Sequence, residues 1–288
     1  MRLALYDDNQ LGAVTEAGIV PLSHQLPWPH DPDPLTAGWW RLLCQEYPKL
    51  RAELAAASAA GAPQQVATAR LRAPVLNPSK VLACASNYAE HVHEMHEVQE
   101  RTLGEVTSWM MNFDVFLKAP SSISGPAEPI RLPPEVVAAG QEIHHESELV
   151  IVLGKGGKDI PTEDALSHVF GYTIGLDITV RGAADRSRRK SYDTFSPTGP
   201  WLVTADELTD PGDLDIQLTA NGEQRQRVHT STLITAVPEI ISYASRMMTL
   251  LPGDLIFTGA PPGVGPINSG DRLHTTISRI GELRLDVV

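Results

Sequence analysis

The chain has 288 residues, of which 42% are apolar and 20% charged, a globular composition with enough length to bury a sizeable core in one or two domains. No apolar run approaches the roughly 20 residues that span a bilayer, and the N-terminus lacks a signal-peptide pattern, so no membrane association is expected. The formal net charge of −12 argues against a nucleic-acid partner, because phosphate contact needs a basic face.

The acid excess is uneven: residues 1–75 hold seven acids and six bases, and the rest hold 28 acids against 17 bases. Two cysteines, Cys44 and Cys84, make neither a disulfide framework nor a thiolate metal cage, so a cytoplasmic protein is expected.

Residues 2–6, 12–14 and 19–22 read as short strands around a turn at Asp7-Asp8-Asn9. Pro27, Pro29, Pro32 and Pro34 make the next stretch an extended linker. Residues 36–60 are helix-like and rich in Ala and Leu, with an interruption expected near Pro48 and an end at Gly61 and Pro63. No catalytic constellation falls in this part. It reads as a small N-terminal accessory domain over 1–75, ahead of a catalytic domain over 76–288.

Lys80-Val81-Leu82-Ala83-Cys84-Ala85 reads as a buried strand, with Cys84 a packed thiol rather than a nucleophile. Beyond it, three histidines and two glutamates fall within the seven residues 90–96. On a helical turn His91 and Glu94 are neighbours, and a carboxylate beside an imidazole fixes its tautomer and suits it to act as a general base. A solvated polar helix is the plainer reading. A zinc protease is excluded, because His93-Glu94-Met95-His96 is one residue short of the H-E-x-x-H spacing. The polar segment 97–113, with Trp109-Met110-Met111, reads as a lid or a surface insertion.

The stretch Gln141-Glu142-Ile143-His144-His145-Glu146-Ser147-Glu148 runs into Leu149-Val150-Ile151-Val152-Leu153-Gly154, a strand that stops at glycine. Alternation puts Glu146 and Glu148 on one face with Val150 and Val152. Two like charges on a partly buried face call for a cation between them, unless the pair faces solvent on an edge strand. Residues 164–169 read as a short helix, with Thr162 as its expected cap. Residues 170–180 read as a strand whose single acid, Asp177, is unfavourable in an apolar run unless paired or ligating. It is the third carboxylate a metal site needs. Arg181 can fork a substrate carboxylate. The run Arg186, Arg188, Arg189, Lys190 reads as a solvated loop, though Lys190 opens the crowded connection Ser191-Tyr192-Asp193-Thr194-Phe195.

Asn221-Gly222 between residues 214–220 and 225–228 signals a hairpin. Residues 235–250 read as an amphipathic helix with Pro238 in its first turn. The loop Thr258-Gly259-Ala260-Pro261-Pro262-Gly263 lacks the G-K-[ST] of a phosphate loop, which excludes nucleotide binding of that kind. Strands over 273–277 and 283–287 close the chain.

From about residue 80 to the C-terminus these blocks resemble the fumarylacetoacetate hydrolase family. They are Asn87-Tyr88-x-x-His91-x-x-Glu94, Phe116-Leu117-Lys118, His144-His145-Glu146-x-Glu148-Leu149, and Gly171-Tyr172 through Asp177 to Arg181. Lys190-Ser191-x-Asp193, Gly199-Pro200, Asn221-Gly222, Gly253-Asp254 and Thr258-Gly259 follow in the same order. The resemblance implies an α+β fold, a mixed β-sheet roll with flanking helices, usually dimeric, here behind a small N-terminal α+β domain. It implies metal ligands at Glu146, Glu148 and Asp177, a lid dyad at His91 and Glu94, and basic substrate contacts at Arg181 and Lys190. Tyr88, Lys118 and Thr258 fall in matching blocks and are further substrate-binding candidates. Two positions depart from the family pattern: Ala184 stands where Gln is common, and Ala260 where the turn usually has a threonine.

Three carboxylates suit a hard cation, Mg²⁺ with Mn²⁺ or Ca²⁺ able to substitute. The expected activity is metal-dependent hydrolysis of a C–C bond in a small anionic keto acid, an acylpyruvate or β-diketo acid. Isomerisation, decarboxylation or dehydration of a 2-oxo acid at the same site is the alternative. A catalytically silent metal- or ligand-binding protein is the alternative from another class.

Overall fold

The computed structural model describes residues 1–104 and 112–288, so the expected lid or insertion lies partly outside the described residues, Trp109 to Met111 entirely so. The chain opens with β1 (Arg2–Tyr6), β2 (Gln10–Thr15), β3 (Gly18–Pro21) and α1 (Gly38–Ala60). It continues with β4 (Val81–Ala85), α2 (Ala89–Leu103), β5 (Asp114–Lys118), β6 (Ile123–Ser124), α3 (Pro134–Ala138), β7 (Ile143–His145) and β8 (Ser147–Leu153). Then come β9 (Val169–Leu176), β10 (Thr179–Val180), α4 (Arg186–Lys190), β11 (Ser196–Thr204), β12 (Asp215–Ala220) and β13 (Glu223–His229). Helix α5 (Val237–Met247) and β14 (Leu255–Phe257), β15 (Gly265–Pro266), β16 (Arg272–Ile277) and β17 (Gly281–Asp286) complete the described elements.

A ten-stranded mixed sheet runs in the order β3-β2-β1-β11-β9-β8-β14-β4-β5, with β6 paired to β11. Its central strand β8 is buried throughout, and its alternation feeds two cores. Leu149, Ile151 and Leu153 pack with α5 and with the four-stranded sheet β13-β12-β16-β17. Val150 and Val152 point to the other face, where Trp40, Leu43 and Tyr47 of α1 cover them together with Phe170 and Leu202. This is the mixed α+β architecture expected. The N-terminal strands join the same sheet, because β1 lies antiparallel to β11 with Leu3 opposite Leu202.

Four local expectations need correction. Helix α1 runs unbroken through the exposed Pro48; packing of its apolar face outweighs the one hydrogen bond a proline removes. Pro161, not Thr162, holds the N-cap position of the 3₁₀ turn Thr162–His168, and no side chain caps it. Asp177 follows β9 rather than lying inside a strand. The basic run is a helical turn, α4, whose Arg189 and Lys190 are buried rather than solvated. Spacing explains this last difference: Arg186, Arg189 and Lys190 stand at i, i+3 and i+4 and share one face, while Arg188 is exposed.

Candidate metal centre and active site

The pairing of β8 with β9 builds the acidic cluster. Ser147 lies opposite Leu176 and Glu148 opposite Gly175, so the next positions outward are Glu146 and Asp177. The Asp177 N–H donates to the Glu146 carbonyl at 2.8 Å. Same-face neighbours across an antiparallel ladder sit within side-chain reach. Oxygens of Glu146, Glu148 and Asp177 accordingly lie within 4.8 Å of one another, and all three residues are buried.

Two of these carboxylates are already matched by cations. Lys190 Nζ donates to Glu146 at 2.7 Å and to Asp177 at 2.5 Å. Arg181 donates to the other Glu146 oxygen at 2.6 Å, and Lys118 to the other Asp177 oxygen at 2.5 Å. Burial pushes the Glu146 carboxyl up, but Lys190 and Arg181 outweigh it and hold the group well below the usual range.

Glu148 is the exception. One oxygen accepts from the Gly259 N–H at 2.6 Å, and the other, Oε1, is buried with no hydrogen-bond partner among the described residues. Burial first, then the charges of Asp177 and Glu146, push its carboxyl well above the usual range. An unpartnered carboxylate oxygen beside two more carboxylates fits a divalent cation, and three hard oxygen donors suit Mg²⁺ or Mn²⁺.

Helix α2 forms the roof. His91, Met95, Val98 and Gln99, at i, i+4, i+7 and i+8, line a cavity from one face of the helix. His91 Nδ1 lies 3.1 Å from Glu94 Oε2. A carboxylate can only accept there, so in the neutral ring the proton belongs on Nδ1 and Nε2 carries the lone pair. Glu94 is itself positioned by the Gly263 N–H, at 3.1 and 3.2 Å from its two oxygens. Glu146, Arg181 and Lys190 line the same cavity, as do Arg186 and Arg189. Arg181 Nε is buried without a hydrogen-bond partner among the described residues, a donor that could meet an anion.

The remaining candidates sit behind this surface. Lys118 is spent on Asp177 and the Phe195 carbonyl, Thr258 Oγ1 donates to the Leu149 carbonyl at 3.0 Å, and the Tyr88 ring is fully buried. None of the three lines the cavity among the described residues. Ala260 does line it, whereas Ala184 is exposed and lends its carbonyl to Arg189. Cys84 also lines the cavity, and burial followed by the Glu148 charge pushes its thiol up, which keeps it an inert packed thiol.

Gln226 and Arg189 were not singled out by their sequence context. Gln226, on β13, accepts from the Ser147 N–H at 3.0 Å and donates to the Pro261 carbonyl at 2.9 Å, tying β8 to the loop beyond Gly259. The helical spacing of 186, 189 and 190 was the available signal for Arg189; Gln226 carried none, lying among other polar residues of an outer hairpin.

The profile of the family described as fumarylacetoacetate (FAA) hydrolase C-terminal matches residues 80–288. The chain is 39% identical over 289 residues to a maleylpyruvate hydrolase of Aquipseudomonas alcaligenes, covering 99% of this chain and 96% of that one. Its structure is similar to maleylpyruvate hydrolase from Sphingobium sp. SYK-6, solved with manganese(II) and pyruvate, at a TM-score of 0.86 and 39% identity over 100% and 99% of the two chains. It is also similar to a 5-carboxymethyl-2-hydroxymuconate delta-isomerase from Mycobacterium smegmatis, at a TM-score of 0.73 and 33% identity over 100% and 99%. Sequence and structure agree: the chain belongs to the fumarylacetoacetate hydrolase family.

Proposed function

We propose that this enzyme is a divalent-metal-dependent hydrolase that cleaves a C–C bond in a small acylpyruvate or related β-diketo acid. The observation that carries the reading is a three-carboxylate cluster with one unpartnered oxygen, Glu148 Oε1, beneath a histidine whose far nitrogen is held by Glu94. The maleylpyruvate hydrolase relatives, one of them holding manganese(II) and pyruvate, support a keto-acid substrate and a divalent cation. Mg²⁺ and Mn²⁺ are the proposed cations, with Ca²⁺ able to substitute.

Glu146, Glu148 and Asp177 would hold the cation, which supplies Lewis acidity toward the oxygens of a 2-oxo-carboxylate. Arg181, with Nε unspent, holds the substrate carboxylate. His91 Nε2 takes a proton from water, and the hydroxide adds to the acyl carbonyl carbon remote from the 2-oxo acid. The C–C bond between that carbon and the methylene breaks, and its electron pair passes into the pyruvate enolate. The Lys190 ammonium lies beside this developing charge. Protonation of the methylene carbon completes pyruvate and a carboxylic acid. Tyr88, Lys118 and Thr258 act from behind, Lys118 by fixing Asp177.

The full-length similarity to a delta-isomerase supports a second reading, proton shuttling on a 2-oxo acid without attack of water. Product identification with acylpyruvates and Mn²⁺ separates the two. For the hydrolase, His91→Gln should keep Mn²⁺ affinity and lose about 10²–10⁴-fold in kcat, and Glu148→Gln should lose both. Hydrolysis by His91→Gln at the wild-type rate would remove His91 from its role. We further propose a homodimer, as the family resemblance implies, with catalysis in residues 76–288 and an accessory role for 1–75. None of the helices among the described residues is long and apolar enough to cross a membrane. The two free, buried cysteines support a cytoplasmic location.

A further inference from the structure

Two buried atoms beside the cavity have complementary needs. Arg181 Nε is a donor with no hydrogen-bond partner among the described residues, and His144 Nδ1 is a ring nitrogen that also has none there. Arg181 is 8% exposed and His144 2%. An unmet polar group at that depth costs stability, so each calls for a partner.

The pairing of β7 with β10 brings them together. Thr179 lies opposite His144 and Val180 opposite Ile143, and the Arg181 N–H donates to the Glu142 carbonyl at 2.8 Å, which continues the register by one residue. Directly opposite residues share a face of the ladder, and so do residues two apart on one strand. Arg181 and His144 are therefore diagonal neighbours on one face, within reach of a long side chain. The charges agree with this placement: burial first, then the Arg181 guanidinium, brings the His144 imidazole down to about 4.

The tautomer makes Nδ1 the acceptor. His144 Nε2 lies 2.8 Å from a Glu142 carboxylate oxygen, which can only accept, so in the neutral ring the proton belongs on Nε2. Glu142 is itself clasped by Arg101 of α2, one guanidinium nitrogen to each oxygen. The ring is thus held by one nitrogen and offers a lone pair from the other.

We propose that His144 is a positioning residue for Arg181, its Nδ1 accepting from Arg181 Nε through one bridging water that satisfies both atoms. Anchored at Nε, the guanidinium has its plane fixed. It then presents its terminal nitrogens to Glu146, which NH2 already meets at 2.6 Å, and to a substrate carboxylate. The effect on substrate binding rests on the preceding reading of Arg181 as the carboxylate contact; the link between the two side chains does not.

Calorimetric binding of pyruvate to the Mn²⁺-loaded protein and the Arg181 Nε–H resonance of the Mg²⁺-loaded protein test the link. A glutamine amide falls near Nε2 of the histidine it replaces, and an asparagine amide near Nδ1. His144→Gln should therefore raise the pyruvate Kd about 10-fold, in keeping with one hydrogen bond to a charged group, while His144→Asn stays within about 3-fold of the wild type. A residue that served only to hold Glu142 would give the opposite order. In an Arg181→Lys background, which lacks Nε, His144→Gln should have no further effect on Kd. The Nε–H resonance, identified by its loss in Arg181→Lys, should shift and exchange faster in His144→Gln than in the wild type. An unchanged resonance, the reverse order of Gln and Asn, or a His144→Gln loss that survives Arg181→Lys overturns the proposal. Pyruvate binding that the wild type lacks, or that Arg181→Lys leaves unchanged, overturns Arg181 as the carboxylate contact instead, and the resonance still decides the link.

Discussion

Lys118 has a side chain with no exposed surface, and its ammonium is divided between the Asp177 carboxylate and the Phe195 carbonyl. Removing one partner of a buried pair leaves the other uncompensated, at a cost of about 3–5 kcal/mol. Lys118→Met should therefore lower the urea midpoint by that order, and the loss should exceed that of Lys80→Met, whose ion pair with Asp254 is partly exposed. At this scale the sequence was most readable where chemistry opposed context. Two glutamates at alternate positions of an apolar strand, and one aspartate among β-branched residues, are costly enough to need a reason. Their meeting in space was legible only through the family resemblance, since nothing local pairs β8 with β9. Arg189 and Gln226 were missed because exposed residues in similar runs look the same; tertiary burial alone sets them apart.

Among the elements, the loop after β14 has the least freedom. Gly259 sits at φ +107°, and a Cβ there would lie 2.7 Å from the Asn87 Cβ while its N–H must still reach Glu148. Gly259→Ala should cost about 1–3 kcal/mol of stability and weaken Mn²⁺ binding together. Gly222→Ala, with φ +82° but open space around it, should lower stability less and leave Mn²⁺ affinity unchanged; melting curves and Mn²⁺ titration check both.

Helix α2 is held at its far end by a bidentate pair, Arg101 to both oxygens of Glu142, which also meets His144. Arg101 first, then His144, holds Glu142 down at about 2. A depressed carboxyl contributes stability above its unfolded range near pH 4.5 and loses it as pH falls through about 2, so this clamp is intact at neutral pH. Arg101→Gln should speed hydrogen exchange of the α2 amides at pH 7, and the difference from wild type should shrink near pH 2. Helices and hairpins with strong local signals, such as α5 and the Asn221-Gly222 turn, could be placed from the sequence. The unbroken α1 could not, because its tolerance of the exposed Pro48 rests on the tertiary burial of the opposite, apolar face of the helix.

On the scale of the whole molecule, the central sheet separates two cores with different duties. Helix α1 covers the face away from α5, and its Trp40 is fully buried, edge-on to Phe170 at 5.9 Å. Trp40→Ala should cost about 3–5 kcal/mol in equilibrium unfolding, while Mn²⁺ affinity at 25 °C stays that of the wild type, since Trp40 itself does not line the cavity. Sheet order was the part of the architecture no local pattern could supply: β1 and β11 are neighbours although Leu3 and Leu202 lie far apart in the chain.

The loop from Gly259 to Gly263 is anchored twice, by one N–H to Glu148 and by another to Glu94, which holds His91. Five residues thus work as a spacer bar between Glu148, the proposed cation ligand, and His91, the proposed base. On the proposed mechanism, its length sets which atom of a chelated substrate stands opposite His91. Lengthening the bar by one residue should then shift attack along the carbon chain with every reactive side chain still in place, making the choice of bond to break a matter of reach, and product analysis of the insertion variant checks it.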